Sequence, residues 1–326
     1  MEKAQSGQEI VPPPVSCPVC GCAKARTSLC PVVLSGTEPV YALVACSGCG
    51  TRMLDPLPTG EELARFYAPR YYGGDWYKQR GKGRMFRRVL LPKVGGCFLD
   101  VGCSLGFFLL GVAEDRRWRA FGSEISPEAA AFARDRLGLD VRCGELADLG
   151  YPDRFFDYVH VSNVLEHVRD PRGLLGECRR ILKPGGTLYL SVPNGPVDSA
   201  GLVRYHCREG LPPRSKDGHL FFFSRDALRV LFRACGFAVV ETHTYGIRRG
   251  LRALGLYPRK PGWKNPYRPQ APSPATPEIR LPAAPGRLPG YDAYRFRQAR
   301  LKRLPGLRAF GLDFEIILRA EEGPGE

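Results

Sequence analysis

The alternation of strand-like and helix-like segments over residues 93–246 constrains the fold of this chain more than any other feature. Apolar runs such as 97–101 and 156–162 alternate with segments that open at a helix start signal such as Ser126-Pro127. A last strand-like run follows at 312–318 and brings the number of expected strands to seven. This pattern predicts an α/β fold with a doubly wound, largely parallel sheet and right-handed crossovers. Ligands of such sheets bind beyond the carboxyl ends of the strands, where the strand order reverses.

The composition is that of a globular protein with a core of its own. Hydrophobic residues make up 44% and charged residues 25% of the 326 residues. No apolar run reaches the roughly 18 residues that a membrane-spanning helix needs. Residues 1–14 contain no apolar run typical of a secretory signal, so we expect a cytoplasmic protein.

The turn after the first of these strands combines glycines with an acid. It reads Asp100-Val101-Gly102-Cys103-Ser104-Leu105-Gly106, and a second acid, Glu124, ends the next strand. A carboxylate at this turn repels a phosphate and attracts a cation, and an acid at the position of Glu124 accepts hydrogen bonds from a ribose diol. S-adenosylmethionine carries a sulfonium and an ammonium group but no phosphate. The turn therefore suits this cofactor better than a nicotinamide nucleotide.

Five stretches, taken in order, resemble the class I S-adenosylmethionine-dependent methyltransferases of the small-molecule type. They are 99–106, 122–126, 156–168, 182–194 and 219–237. The resemblance implies a Rossmann-like sheet of seven strands and bound S-adenosylmethionine. It also implies transfer of the methyl group to an O, N or C atom of a small-molecule or glycan acceptor.

The resemblance further implies which residues hold the cofactor. The glycine turn meets the methionine part, the acid after the second strand meets the ribose, and two further groups meet the adenine and the sulfonium end. In that order the residues are Asp100, Gly102, Cys103 and Gly106; Glu124; Ile125, Glu145 and Leu146; and Asn163 and Val164. Where the family often has glycine this chain has Ser104, which bears on the affinity for the cofactor and not on its identity.

Few side chains are candidates for activating the acceptor. Glu166 and His167 follow the fourth strand on the expected acceptor side, and His219 precedes the last helix. A general base is needed only if the attacking atom carries a proton of high pKa, so each of the three is either such a base or a structural hydrogen-bonding group. His160, inside an apolar strand, is expected to be a core residue. The long segment 193–223 is interpreted as a loop that covers the acceptor.

The cysteines divide into an N-terminal cluster and single residues elsewhere. Two C-x-x-C-G motifs each place two sulfur atoms on one tight turn, and 25 residues separate them. The four sulfur ligands, Cys17, Cys20, Cys46 and Cys49, are typical of a tetrahedral zinc site with no open position. We therefore expect a small N-terminal zinc ribbon with a structural metal, and a disulfide pair or idle thiols are the alternative.

The net charge of +15 is concentrated in one segment. Residues 248–308 carry 15 Lys and Arg against two acids, and 11 prolines fall within 247–308. Proline at this density opposes helix and central strand.

Basic side chains interleaved with aromatic ones suit phosphate or nucleic acid, so an RNA methyltransferase is the alternative function. The segment 163–167 lacks the Asn-Pro-Pro-aromatic motif common in base-methylating enzymes, which favours a small acceptor. A zinc scaffold that retains the cofactor without catalysis is the third hypothesis.

These features predict five regions along the chain. They are a tail (1–14), a zinc-ribbon-like module (15–55), an aromatic and basic helical linker that covers the cofactor (56–92), the methyltransferase domain (93–246 and 309–320), and the basic proline-rich insert (247–308).

Overall fold

The structure is a computed structural model that describes residues 16–23, 26–35, 39–67, 76–256, 258 and 313–321. The predicted tail, most of the predicted basic insert, and Tyr71 and Tyr72 of the predicted cofactor cover lie outside the described residues. Within the described ranges, twelve strands form two sheets. None of the helices in these ranges combines the length and the hydropathy of a membrane span.

The strands and helices follow one another along the chain with short connections. The strands are β1 (Arg26–Leu34), β2 (Val40–Cys46), β3 (Arg52–Asp55), β4 (Gly96–Val101), β5 (Trp118–Glu124), β6 (Asp140–Cys143), β7 (Phe156–Ser162), β8 (Leu182–Pro193), β9 (Arg214–Ser215), β10 (Phe221–Phe222), β11 (Phe237–Tyr245) and β12 (Asp313–Ala320). The α-helices are α1 (Gly60–Tyr67), α2 (Trp76–Leu90), α3 (Phe107–Ala113), α4 (Pro127–Leu137), α5 (Pro171–Ile181), α6 (Gly195–Glu209), α7 (Arg225–Ala234) and α8 (Ile247–Ala253), and a 3-10 helix spans Leu146–Leu149.

The larger sheet has seven strands in the order β11-β12-β8-β7-β4-β5-β6. The strands β6, β5, β4, β7 and β8 run parallel, whereas β12 is antiparallel to β8 and β11. The chain passes from β4 to β5 and β6 on one side and then crosses to β7 and β8 on the other. The predicted α/β, doubly wound, Rossmann-like sheet of seven strands is therefore confirmed. The order reverses between β4 and β7, which places the ligand crevice at the carboxyl ends of these two strands.

Helices of the larger sheet begin at the caps that the sequence signals. The side chains of Ser126 and Ser224 accept hydrogen bonds from the backbone N–H groups of Ala129 and Ala227, three residues later. Pro127 stands in the first turn of α4, where its missing N–H costs nothing. Local capping and the apolar strands together explain why this part of the fold can be predicted from the sequence.

The segment 193–223 is not the loop that the sequence analysis predicts. It contains α6 and the two-residue strands β9 and β10. Glycine and serine residues lower the helix propensity of α6, but the helix packs its small residues closely. A Cβ on Gly195 would lie 2.1 Å from the carbonyl carbon of Phe222. Close approach to β10 therefore requires glycine at this position, and tertiary packing overrides the weak propensity.

The cysteine-rich strands belong to a second sheet that extends beyond residues 15–55. The order of this sheet is β10-β3-β2-β1-β9. Strand β9 pairs parallel to β1, and β10 pairs antiparallel to β3 with Phe221 opposite Met53. The backbone N–H of Leu54 also donates to the carbonyl of Leu220. The N-terminal strands therefore hold the 214–222 part of the chain in place.

Helices also occupy parts of the predicted linker and insert. Both α1 and α2 lie in the predicted linker, and Phe86 of α2 packs edge-on against Phe108 of α3 with ring centroids 5.4 Å apart. At the start of the predicted insert, α8 forms where no helix was expected. It ends before Pro258, the first proline of that segment, so the proline density does not oppose it.

Candidate active site and cysteine cluster

The turn between β4 and α3 has left-handed backbone at three positions. The φ angles are 68° at Gly102, 53° at Ser104 and 80° at Gly106. A Cβ on Gly102 would lie 2.6 Å from Cγ2 of Val164, which stands two residues after the end of β7 and which the sequence analysis placed near the sulfonium. The turn and the end of β7 therefore touch, and a ligand in the crevice between β4 and β7 meets bare backbone.

The position of Ser104 explains why related turns favour glycine there. A left-handed φ is strained for a residue with a Cβ. The strain is offset in part because the backbone N–H of Ser104 donates to Oε2 of Glu124 at 2.7 Å.

Asp100, at the end of β4, has a buried partner that the sequence analysis did not identify. Nδ1 of His160 lies 2.7 Å from Oδ1 of Asp100, and both side chains are buried. The imidazole stacks between the rings of Phe108 and Tyr189, with centroids 4.4 and 5.1 Å away. His160 is a hydrogen-bonded core residue as expected, but its partner is the acid of the glycine turn.

Glu124 links the turn to the next helix. Besides the bond from Ser104, its Oε1 accepts a hydrogen bond from the backbone N–H of Ser126 at 3.0 Å. Burial raises the pKa of Glu124, and the backbone N–H groups of Ser126, Ser104 and Ile125 oppose this shift. The carboxylate thus stands in the same crevice as Asp100, where it can also face a ribose.

The other residues assigned to the cofactor lie around the same edge of the sheet. Ile125 is exposed, Glu145 is exposed at the start of the 3-10 helix, Leu146 and Cys103 are buried, Val164 is half-buried, and Asn163 is exposed with a left-handed φ of 54°.

The three acceptor-side candidates meet at one place. One ligand atom each from Glu166, His167 and His219 lies within 4.8 Å of the others. Nε2 of His167 is 3.7 Å from Oε1 of Glu166, and the rings of the two histidines are 4.9 Å apart. The backbone N–H groups of Leu220 and Phe221 donate to the carbonyl of Glu166, which fixes the His219 segment beside the end of β7.

The electrostatics of this cluster differ from residue to residue. Burial raises the pKa of Glu166 to about 7. Burial and the neighbouring His219 lower the pKa of His167 to about 3, so His167 is neutral. Burial lowers the pKa of His219, but the hydrogen bond with Asp198 and the charges of Asp198, Glu166 and Asp217 together outweigh burial and raise the pKa to about 9.

Asp198 is the residue of this cluster that sequence reasoning missed. Its Oδ2 lies 2.8 Å from Nδ1 of His219, and it stands in the first turn of α6. The only sequence signal was an acid soon after Pro196, and reading it would have required recognising α6. His206, by contrast, is half-buried at the other end of α6, and its Nδ1 lies 3.2 Å from the carbonyl oxygen of Leu211.

The match to a family model decides the family. A model described as a methyltransferase domain matches residues 77–242. The chain belongs to this methyltransferase family. The matched range includes the glycine turn, Glu124, and the cluster of Glu166, His167 and His219, so the resemblance to class I S-adenosylmethionine-dependent methyltransferases is confirmed.

Curated proteins similar to this methyltransferase carry related names. It is 31% identical over 156 residues to an S-adenosylmethionine-dependent methyltransferase of Mycolicibacterium smegmatis, with 46% of this chain and 58% of that protein covered. It is 38% identical over 114 residues to a ubiquinone biosynthesis O-methyltransferase of Xanthomonas campestris, with 33% of this chain and 46% of that protein covered. The chain thus spans about half the length of these two relatives.

A solved structure is similar to this chain. The S-adenosylmethionine-dependent methyltransferase from Mesorhizobium loti is 20% identical, with a TM-score of 0.45. The superposition covers 74% of this chain and 99% of that chain. Likeness at this level of identity concerns the fold alone.

The four predicted zinc ligands of the methyltransferase converge. Sγ of Cys17 is 3.9 Å from Sγ of Cys49, Sγ of Cys20 is 3.7 Å from Sγ of Cys46, and all four sulfur atoms lie within 4.8 Å of one another. A tetrahedral zinc with sulfur ligands at about 2.3 Å separates the sulfur atoms by about 3.8 Å. The cluster therefore has the size and the donor chemistry of a zinc–thiolate site.

The cysteine cluster packs directly on the larger sheet. The guanidinium of Arg172 in α5 donates to the carbonyls of Pro18 and Val19 between the first two cysteines. The hydroxyl of Ser224, the cap of α7, donates to the carbonyl of Cys49 at 3.4 Å. Each C-x-x-C turn is thus tied to a helix of the methyltransferase sheet.

Proposed function

We propose that this chain transfers the methyl group of S-adenosylmethionine to a small-molecule or glycan acceptor. The observation that carries the proposal is the left-handed glycine turn flanked by two buried carboxylates, Asp100 and Glu124, at the point where the strand order reverses. Buried carboxylates at a nucleotide-type turn favour a cationic donor over a phosphorylated one.

The residues present fit this cofactor. The bare backbone of the turn would hold the methionine part, with Asp100 facing its ammonium group. Glu124 would hold the ribose, and Ile125 and Leu146 would contact the adenine. When bound, the cofactor supplies an activated methyl group on a sulfonium. In the transfer, the acceptor atom attacks the methyl carbon as the carbon–sulfur bond breaks, and S-adenosylhomocysteine leaves with the bonding electron pair.

The acceptor side is proposed to be the cluster of Glu166, His167 and His219. Glu166 stands two residues after Val164, and Val164 is next to the glycine turn. An acceptor held at the cluster would therefore lie next to the methyl donor. Positioning of this kind can supply roughly 7–11 kcal/mol of the barrier. The name of the Xanthomonas campestris relative favours a small hydroxyl-bearing acceptor.

The cysteine cluster is proposed to hold a structural zinc. Cys17, Cys20, Cys46 and Cys49 would supply four thiolates, which leave no position open for an acceptor. The contacts of Arg172 and Ser224 with this cluster support a role in holding the fold together. Metal analysis of the purified chain should find one zinc that is lost when Cys49 is replaced by serine.

The function is tested by incubating the full-length chain with S-adenosylmethionine and a panel of hydroxylated metabolites and sugar nucleotides. We expect S-adenosylhomocysteine to form with at least one acceptor. A chain that binds the cofactor tightly but transfers methyl to none of these compounds, and to RNA instead, would contradict the proposed acceptor class.

A further inference from the structure

We propose that Glu166, His167 and His219 form a binding site for a divalent transition-metal cation on the acceptor side of the crevice. The use of this cation in methyl transfer rests on the proposed function, but the site itself does not. The three side chains come from two separate segments of the chain, around residues 166–167 and at residue 219, and one ligand atom from each lies within 4.8 Å of the others.

The carboxylate of Glu166 is the first argument for a cation. It is wholly buried, with 0% of the side chain exposed, and neither of its oxygen atoms has a hydrogen-bond partner. Buried carboxylates are normally hydrogen-bonded, paired with a cation or bound to a metal. The nearest candidate partner, Nε2 of His167, is 3.7 Å from Oε1, which is too long for a hydrogen bond. A cation bound at this carboxylate would satisfy its oxygen atoms.

The orientation of the two imidazoles is the second argument. Nδ1 of His219 lies 2.8 Å from Oδ2 of Asp198, and Nδ1 of His167 lies 3.3 Å from the carbonyl oxygen of Gly218. Each Nδ1–H can donate to its oxygen, and once a cation displaces the Nε2 proton of His219, each Nε2 can present a lone pair to that cation. Metal-binding histidines are held in this way, with one ring nitrogen on a carboxylate or carbonyl and the other on the metal.

Charge balance points in the same direction. A dication bound by two neutral imidazoles and the Glu166 carboxylate, with the Asp198 carboxylate behind one imidazole, leaves no net charge in the buried cluster. About one fifth of the side-chain surface of His167 is exposed, so a cation can reach the cluster from solvent.

Two nitrogens and one oxygen suit a first-row cation from Mn²⁺ to Zn²⁺. Three protein ligands leave coordination positions open, unlike the four thiolates of the cysteine cluster. The substrate class that fits is an acceptor hydroxyl with a second oxygen nearby, because both oxygens can then reach the cation. The cation lowers the pKa of that hydroxyl. Its proton passes to water, and the oxygen lone pair forms the new bond to the methyl carbon as the carbon–sulfur bond breaks.

The test uses Mn²⁺ and the full-length chain with zinc already loaded on the cysteine cluster. Electron paramagnetic resonance of free Mn²⁺ measures binding without cofactor or acceptor. We expect one Mn²⁺ per chain, with affinity lowered at least tenfold in Glu166→Gln and His219→Ala. Asp198→Asn keeps all three ligands and should weaken binding by about 10- to 100-fold, because it frees the imidazole that it orients. The matched control is His206→Ala, which removes a half-buried histidine at the other end of α6, outside the cluster, and should bind Mn²⁺ like the wild type.

The result that would overturn the site is wild-type protein that binds no Mn²⁺, or binding that persists in Glu166→Gln and His219→Ala. Circular dichroism of each variant shows whether a loss of binding reflects unfolding, and Asp198→Asn decides if either ligand variant fails to fold. A chain that binds Mn²⁺ as described but forms no S-adenosylhomocysteine would contradict the proposed function and leave the metal site standing.

Discussion

The side chains of Asp100 and His160 form a buried hydrogen bond of 2.7 Å that ties the acid of the glycine turn to the neighbouring strand β7. Asp100 ends its strand beside the turn, and His160 is clamped between two aromatic rings. The bond joins the two strands between which the order reverses. It therefore sets the floor of the crevice in which we place the cofactor.

Replacing His160 with phenylalanine should damage this floor. The ring still fills the space between Phe108 and Tyr189, but Asp100 loses its partner. A buried acceptor without a partner costs about 1–3 kcal/mol of unfolding free energy. Urea denaturation should show this loss, and calorimetry should show weaker binding of S-adenosylmethionine. His206→Ala, at a half-buried site away from the glycine turn, is the control, and equal stability of the two variants would contradict the assigned role.

Replacing Ser104 with glycine should stabilise the turn. The left-handed backbone at this position is strained for serine but not for glycine, and the backbone N–H that donates to Glu124 is kept. After the larger chain entropy of glycine in the unfolded state, we expect a net gain of about 1 kcal/mol in unfolding free energy. Ser126→Gly changes a serine at a negative φ of −78° and should lose stability instead. A loss in Ser104→Gly as well would show that the strain is absent.

Glu124→Gln should weaken the binding of S-adenosylmethionine. Two backbone N–H groups now share the carboxylate, and an amide has only one acceptor oxygen, so one hydrogen bond is lost. The dissociation constant for S-adenosylmethionine should rise tenfold or more, about 1.4 kcal/mol. The control is Glu128→Gln in the first turn of α4, which should bind the cofactor normally. Unchanged affinity in Glu124→Gln would refute the ribose assignment.

Removing metal from the cysteine cluster should loosen the smaller sheet as far as the acceptor side. Cys49 is three residues before β3, β3 pairs with β10, and His219 lies two residues before β10. In Cys49→Ser we expect hydrogen exchange to rise in residues 52–55 and 221–222, while S-adenosylmethionine still binds at the other side of β4. Cys207→Ser, which replaces an exposed cysteine outside the cluster, should exchange like the wild type. Unchanged protection of 221–222 in Cys49→Ser would show that the two sites are independent.

Local signals in the sequence explain what could be predicted of the fold. The strands of the larger sheet are apolar runs, and helices such as α4 and α7 start at serine caps. These strands and helices could therefore be predicted without tertiary information. The cofactor turn could be predicted because Asp100, Gly102 and Gly106 lie close together in the sequence and Glu124 ends the next strand. The place of Glu166 and His167 after β7, on the acceptor side, also follows from the strand pattern, whereas their convergence with His219 was not predicted.

The remaining features depend on contacts that no local pattern carries. Strands of two residues such as β9 and β10 have no periodicity, and they exist only because β1 and β3 pair with them. The helix α6 has glycine and serine at its buried positions, so packing against β10 stabilises it and propensity does not. Asp198 and the partner of His160 were missed for the same reason, since each acts across a distance in sequence that only the fold closes.

The most direct measurement of the central claim is a calorimetric titration of the full-length chain with S-adenosylmethionine and, separately, with NAD. The carboxylates at the glycine turn predict saturable binding of one S-adenosylmethionine per chain and no measurable heat with NAD. Binding of NAD without binding of S-adenosylmethionine would contradict the account.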